Sequence, residues 1–87
     1  MKLDETIAAI VSGGASGLGA AVVRHLRDRK VKTALFDKDE DAGHQIASDT
    51  GSTFFKVDVS ESQSVRTALS AARKKNGREQ LVVSCAG

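Results

Sequence analysis

Hydrophobic residues alternate between two spacings along this chain. Residues 7–11 are a continuous apolar run, bounded by polar residues before and glycines after. Such a run suits a strand buried on both faces, as in a parallel sheet. From Leu18 to Lys30 the spacing becomes helical: Leu18, Ala21, Val22 and Leu26 fall on one face, and Ser16 stands where an N-terminal cap is expected. Residues 31–36 read as a second strand ending at Asp37. A second helix starts in the acidic run Asp39, Glu40 and Asp41, carries a thin stripe of Ala42, Ile46 and Ala47, and stops before Gly51 with Asp49 and Thr50 in its exit. Residues 52–57 form a third strand. A third helix follows from Ser60 and Glu61, with Val65, Ala68, Leu69 and Ala72 on its apolar face. Residues 81–83 make a short fourth strand. The order β-α-β-α-β-α-β at this spacing predicts right-handed crossovers and a parallel α/β sheet. No linker or second domain interrupts it, so residues 1–87 are expected to act as one unit.

The stretch Ser12-Gly13-Gly14-Ala15-Ser16-Gly17-Leu18-Gly19 falls between the first strand and the first helix. Glycines there permit dihedrals closed to other residues and let a ligand reach the backbone. A helix N-terminus adds unpaired N–H groups and a positive dipole end. Gly13, Gly17 and Gly19 suit the turn, the approach of a pyrophosphate and close packing, with Ser12 and Ser16 as hydroxyl donors to cofactor or loop. An ordinary glycine-rich βα loop fits the same residues. The G-x-G-x-x-G spacing is not met, and no Lys-Ser/Thr pair follows as a phosphate loop requires.

Asp37 ends the second strand, where a carboxylate can accept from both hydroxyls of an adenosine ribose and repel a 2′-phosphate. That reading favours NAD over NADP, although Lys38 is placed to screen a phosphate; a helix-capping role is the alternative, with Asp39 as competitor. Asp58 ends the third strand, suited either to an adenine amino group, with Val59 against the ring, or to a cap or turn.

With 87 residues, three of them aromatic and none proline, the core is light and the stability margin thin. The net charge of +2 decides nothing about anionic partners. Basic clusters at 24–30 and 73–78 fall in the last turns of expected helices, where cations complement the dipole. No aromatic side chain interleaves with them, so nucleic acid is not expected as a partner, and the longest apolar run, Ile7 to Val11, is far too short to span a membrane. A single cysteine, Cys85, excludes an internal disulfide and suits a reducing, cytoplasmic setting. No His, Asp and Glu spacing suggests a metal site. His25 and His44 fall on helices far from the strand ends and read as surface residues, and Cys85 reads as a small buried thiol near the crevice.

Taken together the motifs resemble the short-chain dehydrogenase/reductase family. The glycine stretch is similar to its Thr-Gly-x-x-x-Gly-x-Gly loop, Asp58-Val59 to its adenine-contacting pair, and Ser84-Cys85-Ala86-Gly87 to its Asn-Asn-Ala-Gly motif. The resemblance implies a partial Rossmann-type sheet, order 3-2-1-4, with helices on both faces. It places Gly13, Gly17 and Gly19, with Ser12, Ser16 and Leu18 in the same loop, at the cofactor phosphates. It places Asp37 at the ribose, Asp58 and Val59 at adenine, and Cys85, Ala86 and Gly87 along the wall near the nicotinamide. Ser84 replaces an Asn whose amide ties neighbouring strands together, which puts the bonding of the fourth strand in question.

In that family the catalytic Ser, Tyr and Lys lie beyond the fourth strand, and this chain contains no tyrosine. The resemblance therefore implies the N-terminal, cofactor-binding part of an NAD(P)-dependent oxidoreductase that transfers hydride between nicotinamide and a secondary alcohol or ketone, with hydroxyacyl-CoA or 3-oxoacyl chemistry closest, inactive by itself. A non-catalytic nucleotide-binding or interaction module formed by a naturally shortened chain is the alternative. A methyltransferase using S-adenosylmethionine is a third, weakened by the glycine spacing and the Ser-Cys-Ala-Gly segment. An uncovered edge on the fourth strand predicts self-association or marginal stability.

Overall fold

The computed structural model describes residues 2–85. The chain runs β1 (Ala8–Ser12), α1 (Gly17–Asp28), β2 (Lys32–Asp37), α2 (Glu40–Thr50), β3 (Thr53–Lys56), α3 (Ser62–Asn76) and β4 (Leu81–Ser84). The strands form one parallel sheet in the order β3-β2-β1-β4, the expected partial Rossmann arrangement. Right-handed crossovers explain the layering. Leftward steps from β1 to β2 to β3 put α1 and α2 on one face, and the return to β4 puts α3 on the other.

Alternation along the central strands divides the core accordingly. Ala9, Val11 and Leu35 face α1 and meet Val23 and Leu26, with Ile46, Ala47 and Phe54 beside them. Ile10, Ala34 and Phe36 face α3 and meet Ala68 and Ala72, with Phe55 set edge-on to Phe36. Leu35, Val11, Val23, Val31 and Val57 are the largest fully buried side chains. At roughly 1.5–3 kcal/mol per buried side chain of this size, so few large groups leave little reserve against chain entropy.

The first helix departs from its expected face. Gly19, Val23 and Leu26 are its buried residues, whereas Leu18 is 69% exposed and Ala21 is exposed. Leu18 is the second residue of a helix that starts above the C-terminal ends of the strands, so it has no sheet beneath it. On α2 the buried position is Gly43, where a Cβ would overlap the Phe54 ring. Asp39 caps this helix by accepting from the Ala42 N–H at 3.0 Å, and the helix runs through Asp49 and Thr50 to Gly51, which has φ 76°. Arg27, expected only to complement a dipole, donates from Nε to the Thr50 carbonyl at 3.1 Å and from Nη1 to the Val31 carbonyl at 2.8 Å. One guanidinium thus satisfies the exit of α2 and the start of β2.

Bonds just outside each end of β4 tie it to β1. The Gln80 N–H donates to the Ala8 carbonyl at 3.0 Å, and Gln80 Oε1 accepts from the Ala8 N–H at 2.9 Å. At the other end the Cys85 N–H donates to the Ser12 carbonyl at 2.8 Å. Just before β4, Arg73 of α3 grips Glu79 through Nε–Oε1 at 2.9 Å and Nη2–Oε2 at 2.8 Å. Those charge-assisted bonds hold the Glu79 carboxyl down at about 2, against an ordinary 4.5.

Because the folded value is depressed, this pair stabilises the fold above pH 4.5 and the contribution fades as pH falls towards about 2. Arg73 is nearly half exposed, so screening keeps the effect small. Denaturant unfolding of wild type and Glu79→Gln should differ most above pH 4.5 and converge near pH 2. A difference independent of pH across that window would remove the pair as its source.

Candidate functional site

The C-terminal ends of all four strands open into a crevice of about 390 Å³, lined by Ser12, Gly13, Ser16, Phe36, Asp37, Lys38, Asp58, Val59, Ser60 and Cys85. That volume lies within the ~300–1,000 Å³ of small-molecule sites, and the point beside β1 where the strand order reverses is where open α/β sheets place ligands. A larger, shallower groove of about 530 Å³ lies on α3 between Arg66, Leu69 and Arg73, but no strand end converges on it.

The glycine loop gains its shape from how its backbone donors are used. Gly13 and Gly14 N–H both donate to the Phe36 carbonyl, at 2.8 and 3.3 Å, and Ser16 N–H donates to the Gly13 carbonyl at 3.3 Å. The Ala15 N–H donates to Asp37 Oδ2 at 3.0 Å. Ser16 occupies the N-cap position of α1, but its hydroxyl donates to the Gly13 carbonyl at 2.8 Å and does not cap the helix. The side chain is turned to the loop carbonyl, and no helix N–H donates to its oxygen. Consequently the N–H groups of Gly17, Leu18 and Gly19 have no partner among the described residues and open the first turn of α1.

Three glycines serve three different needs. Gly13 has φ 74°, a turn conformation that a Cβ disfavours. Gly19 lies against the loop, where a Cβ would fall 1.9 Å from the Gly13 carbonyl oxygen. Its close contact is thus with the loop backbone and not with a strand. Gly14, not singled out from sequence, has that strand contact, since its Cβ would meet Leu35 Cβ at 2.5 Å. Gly17 has no left-handed φ and nothing within 4 Å of a built Cβ, so no protein neighbour demands glycine there.

Across the crevice, Asp58 Oδ1 accepts from the Ser60 N–H at 3.0 Å and from the Ser60 hydroxyl at 2.6 Å. The Asp58 N–H donates to Ser64 Oγ at 3.0 Å. This Asp-Val-Ser turn moves the start of α3 to Ser62, two residues after the expected Ser60, which belongs to the turn. The Ser60 hydroxyl and then its N–H hold the Asp58 carboxyl below its ordinary value, with the Lys38 charge adding to the effect. Val59, between them, is 61% exposed at the rim. Asp37 does not cap α2. Its Oδ1 accepts from the Asp39 N–H at 3.0 Å, while Oδ2 reaches the loop.

Of the expected residues, Ser12, Gly13, Ser16, Asp37, Asp58, Val59 and Cys85 line one crevice. Gly17, Leu18 and Gly19 form the first helical turn beside it. Ala86 and Gly87 lie outside the described residues. Cys85 is a half-buried free thiol. Both histidines are exposed and away from the crevice: His25 contacts Arg29 at 3.2 Å, and His44 lies edge-on to Phe54 with centroids 4.8 Å apart. Phe36 and Ser60 were missed as lining residues. The Asp-x-Ser spacing at 58–60 was the available signal for Ser60, whereas nothing local marked Phe36.

A parallel sheet whose first βα turn presents free helix-terminal donors above a carboxylate on β2 defines a Rossmann-type α/β unit. Residues 7–87 match the family described as short chain dehydrogenase, and the chain belongs to that family. It is 39% identical over 80 residues to 3-hydroxyacyl-CoA dehydrogenase type-2 of Drosophila melanogaster, covering 90% of this chain and 31% of that protein. Among solved structures it resembles a short chain dehydrogenase from Bacillus anthracis (TM-score 0.91, 13% identity, 99% of this chain and 37% of that one). It also resembles a 3-ketoacyl-(acyl-carrier-protein) reductase from Brucella melitensis complexed with NADH (TM-score 0.88, 22% identity, 93% of this chain and 34% of that one). The chain spans about a third of the length of the curated relatives it matches.

The glycine geometry separates folding from binding. Gly19→Ala should cost roughly 1–3 kcal/mol, the scale of overpacking against backbone that cannot move aside. Gly17→Ala should leave stability unchanged or slightly raised, by less than ~1 kcal/mol, because alanine is the better helix former. Chemical denaturation of both variants checks the pair, and an equal loss in each would refute the distinction.

Proposed function

We propose that these residues form the N-terminal cofactor-binding part of an NAD(P)-dependent short-chain oxidoreductase. The single observation that carries the reading is the set of N–H groups at Gly17, Leu18 and Gly19 that have no partner among the described residues, at a position, Gly17, where no described neighbour requires glycine. Those donors and the open Gly17 position fit a pyrophosphate, with Ser12 and Gly13 completing the loop. Asp37 accepts from ribose hydroxyls, which favours NAD, and Lys38 keeps NADP as the weaker ligand. Asp58, kept ionised by Ser60, accepts from the adenine amino group through its free oxygen, and Val59 covers the ring. Cys85, Ala86 and Gly87 continue the wall towards the nicotinamide.

When bound, the nicotinamide supplies hydride transfer to or from a secondary alcohol or ketone carbon. The residues present bind and orient it, and the family's Ser, Tyr and Lys are not among them. The hydroxyacyl-CoA class is the favoured substrate of the complete protein, supported by the 39% identity to the fly enzyme of that name. A reducing, cytoplasmic setting accompanies the proposal, in keeping with the single free thiol.

Calorimetry with NAD, NADP and S-adenosylmethionine tests this reading. NAD should bind most tightly, Gly17→Ala should weaken it without loss of stability, and the 87-residue chain should show no dehydrogenase turnover. Preference for S-adenosylmethionine, or no nucleotide binding, would overturn the site. Robust hydride transfer would overturn the claim that the chain lacks the catalytic groups.

A second reading, an interaction module, is favoured by β4. It is an edge strand carrying Val82, which is 62% exposed because α3 lies over β2 and β3. Open strand edges pair readily with other chains. Sedimentation should show self-association that rises with concentration, and a monodisperse monomer would count against it.

A further inference from the structure

We infer that Asp37 is also a positioning residue, a strut that sets the shape of the phosphate loop before any nucleotide arrives. Its affinity consequence rests on the nucleotide-site reading above; its structural part stands on the loop itself. A side chain that only read ribose hydroxyls would need no contact with the glycine loop. Instead Oδ2 accepts from the Ala15 N–H at 3.0 Å and Oδ1 accepts from the Asp39 N–H at 3.0 Å. The first bond spans 22 residues of sequence and is partly buried, while the second fixes the carboxylate relative to the start of α2.

Ala15 matters because of what lies on either side of it. Gly13 and Gly14 are tied to the Phe36 carbonyl, and Gly17 begins the turn with free donors. Ala15 is the link between them, and Asp37 is the only side chain that holds its N–H among the described residues. Fixing that link aims the three free donors before binding, so less ordering entropy is lost when an anion docks. The two jobs are compatible, since an ionised carboxylate offers about four lone-pair directions and the backbone uses two. Loss of Asp37 therefore weakens the phosphate cradle as well as ribose recognition.

Two measurements on the 87-residue chain separate strut from reader. Amide hydrogen exchange is followed without nucleotide, with the Val11 and Leu35 amides as controls for the fold. In Asp37→Ala the Ala15 and Asp39 amides should both exchange roughly tenfold faster or more, the scale of losing a charge-assisted hydrogen bond. Asp37→Asn preserves the shape but has one acceptor oxygen, so at least one of the two amides should lose protection even if the alanine variant fails to fold.

The second measurement compares NAD with its 2′,3′-dideoxyadenosine analogue, which lacks the hydroxyls that Asp37 would read. Asp37→Ala should weaken the analogue too, by roughly tenfold. A pure ribose reader would leave the analogue's affinity unchanged or raised, because its removal takes a negative charge away from the phosphates. Undiminished protection of both amides in both variants, or analogue binding at wild-type strength, overturns the strut. If wild type binds neither nucleotide, the nucleotide-site reading falls and the exchange result alone decides the strut.

Discussion

The Phe36 carbonyl anchors the upper end of this molecule. It accepts from two successive loop N–H groups, Gly13 and Gly14, and so fastens the first βα turn onto the end of β2. Everything else there follows from that closeness. Gly14 must lack a side chain because it lies on Leu35, and Gly19 must lack one because the Gly13 carbonyl is turned towards α1. The left-handed turn at Gly13 makes both contacts possible. Leu35 in turn belongs to the core beneath α1, so the loop is seated on the most buried part of the fold. The loop of such a site is tied to the sheet by its own hydrogen bonds, and among the described residues the N–H groups of the first helical turn are left without partners.

The two walls of the crevice obey one chemical rule. The junctions after β2 and β3 each carry an aspartate held by backbone N–H groups: both oxygens of Asp37 by Ala15 and Asp39, one oxygen of Asp58 by Ser60. Lys38 between them adds a positive charge that acts on Asp58. These are acceptors already oriented by the chain, which suits recognition of hydroxyl and amino groups better than proton transfer.

Sequence patterning revealed the strands and helices because their spacing is set by burial, which apolar residues report directly. The apolar face of α3 was readable for that reason: Ala68 and Ala72 are buried, and Val65 and Leu69 lie beside them. The face of α1 was misread at Leu18 because periodicity does not say where the sheet below a helix stops. Helix glycines such as Gly43 were unreadable, since their value lies in an aromatic ring from another element. The order of the strands came from family resemblance and not from pattern. In the site, residue identities were legible while their partners were not. Asp37 could be placed at the end of its strand, but a bond from its carboxylate to Ala15 depends on the height at which the loop crosses β2. The serine at 16 does occupy the N-cap position, but its side chain turns to the loop carbonyl and accepts no helix N–H.

Gln80 has a consequence for how β4 finds its place. Leu81, Val82 and Val83 are all apolar, so sliding the strand by one residue would still present an apolar side chain to each face, and hydrophobicity alone discriminates poorly between alignments. Gln80 engages both backbone groups of Ala8, one through its own N–H and one through its side-chain oxygen. A one-residue slip breaks both bonds at once. The alignment of this strand is thus read from a polar residue just outside it, much as a key is located by its shoulder and not by its teeth.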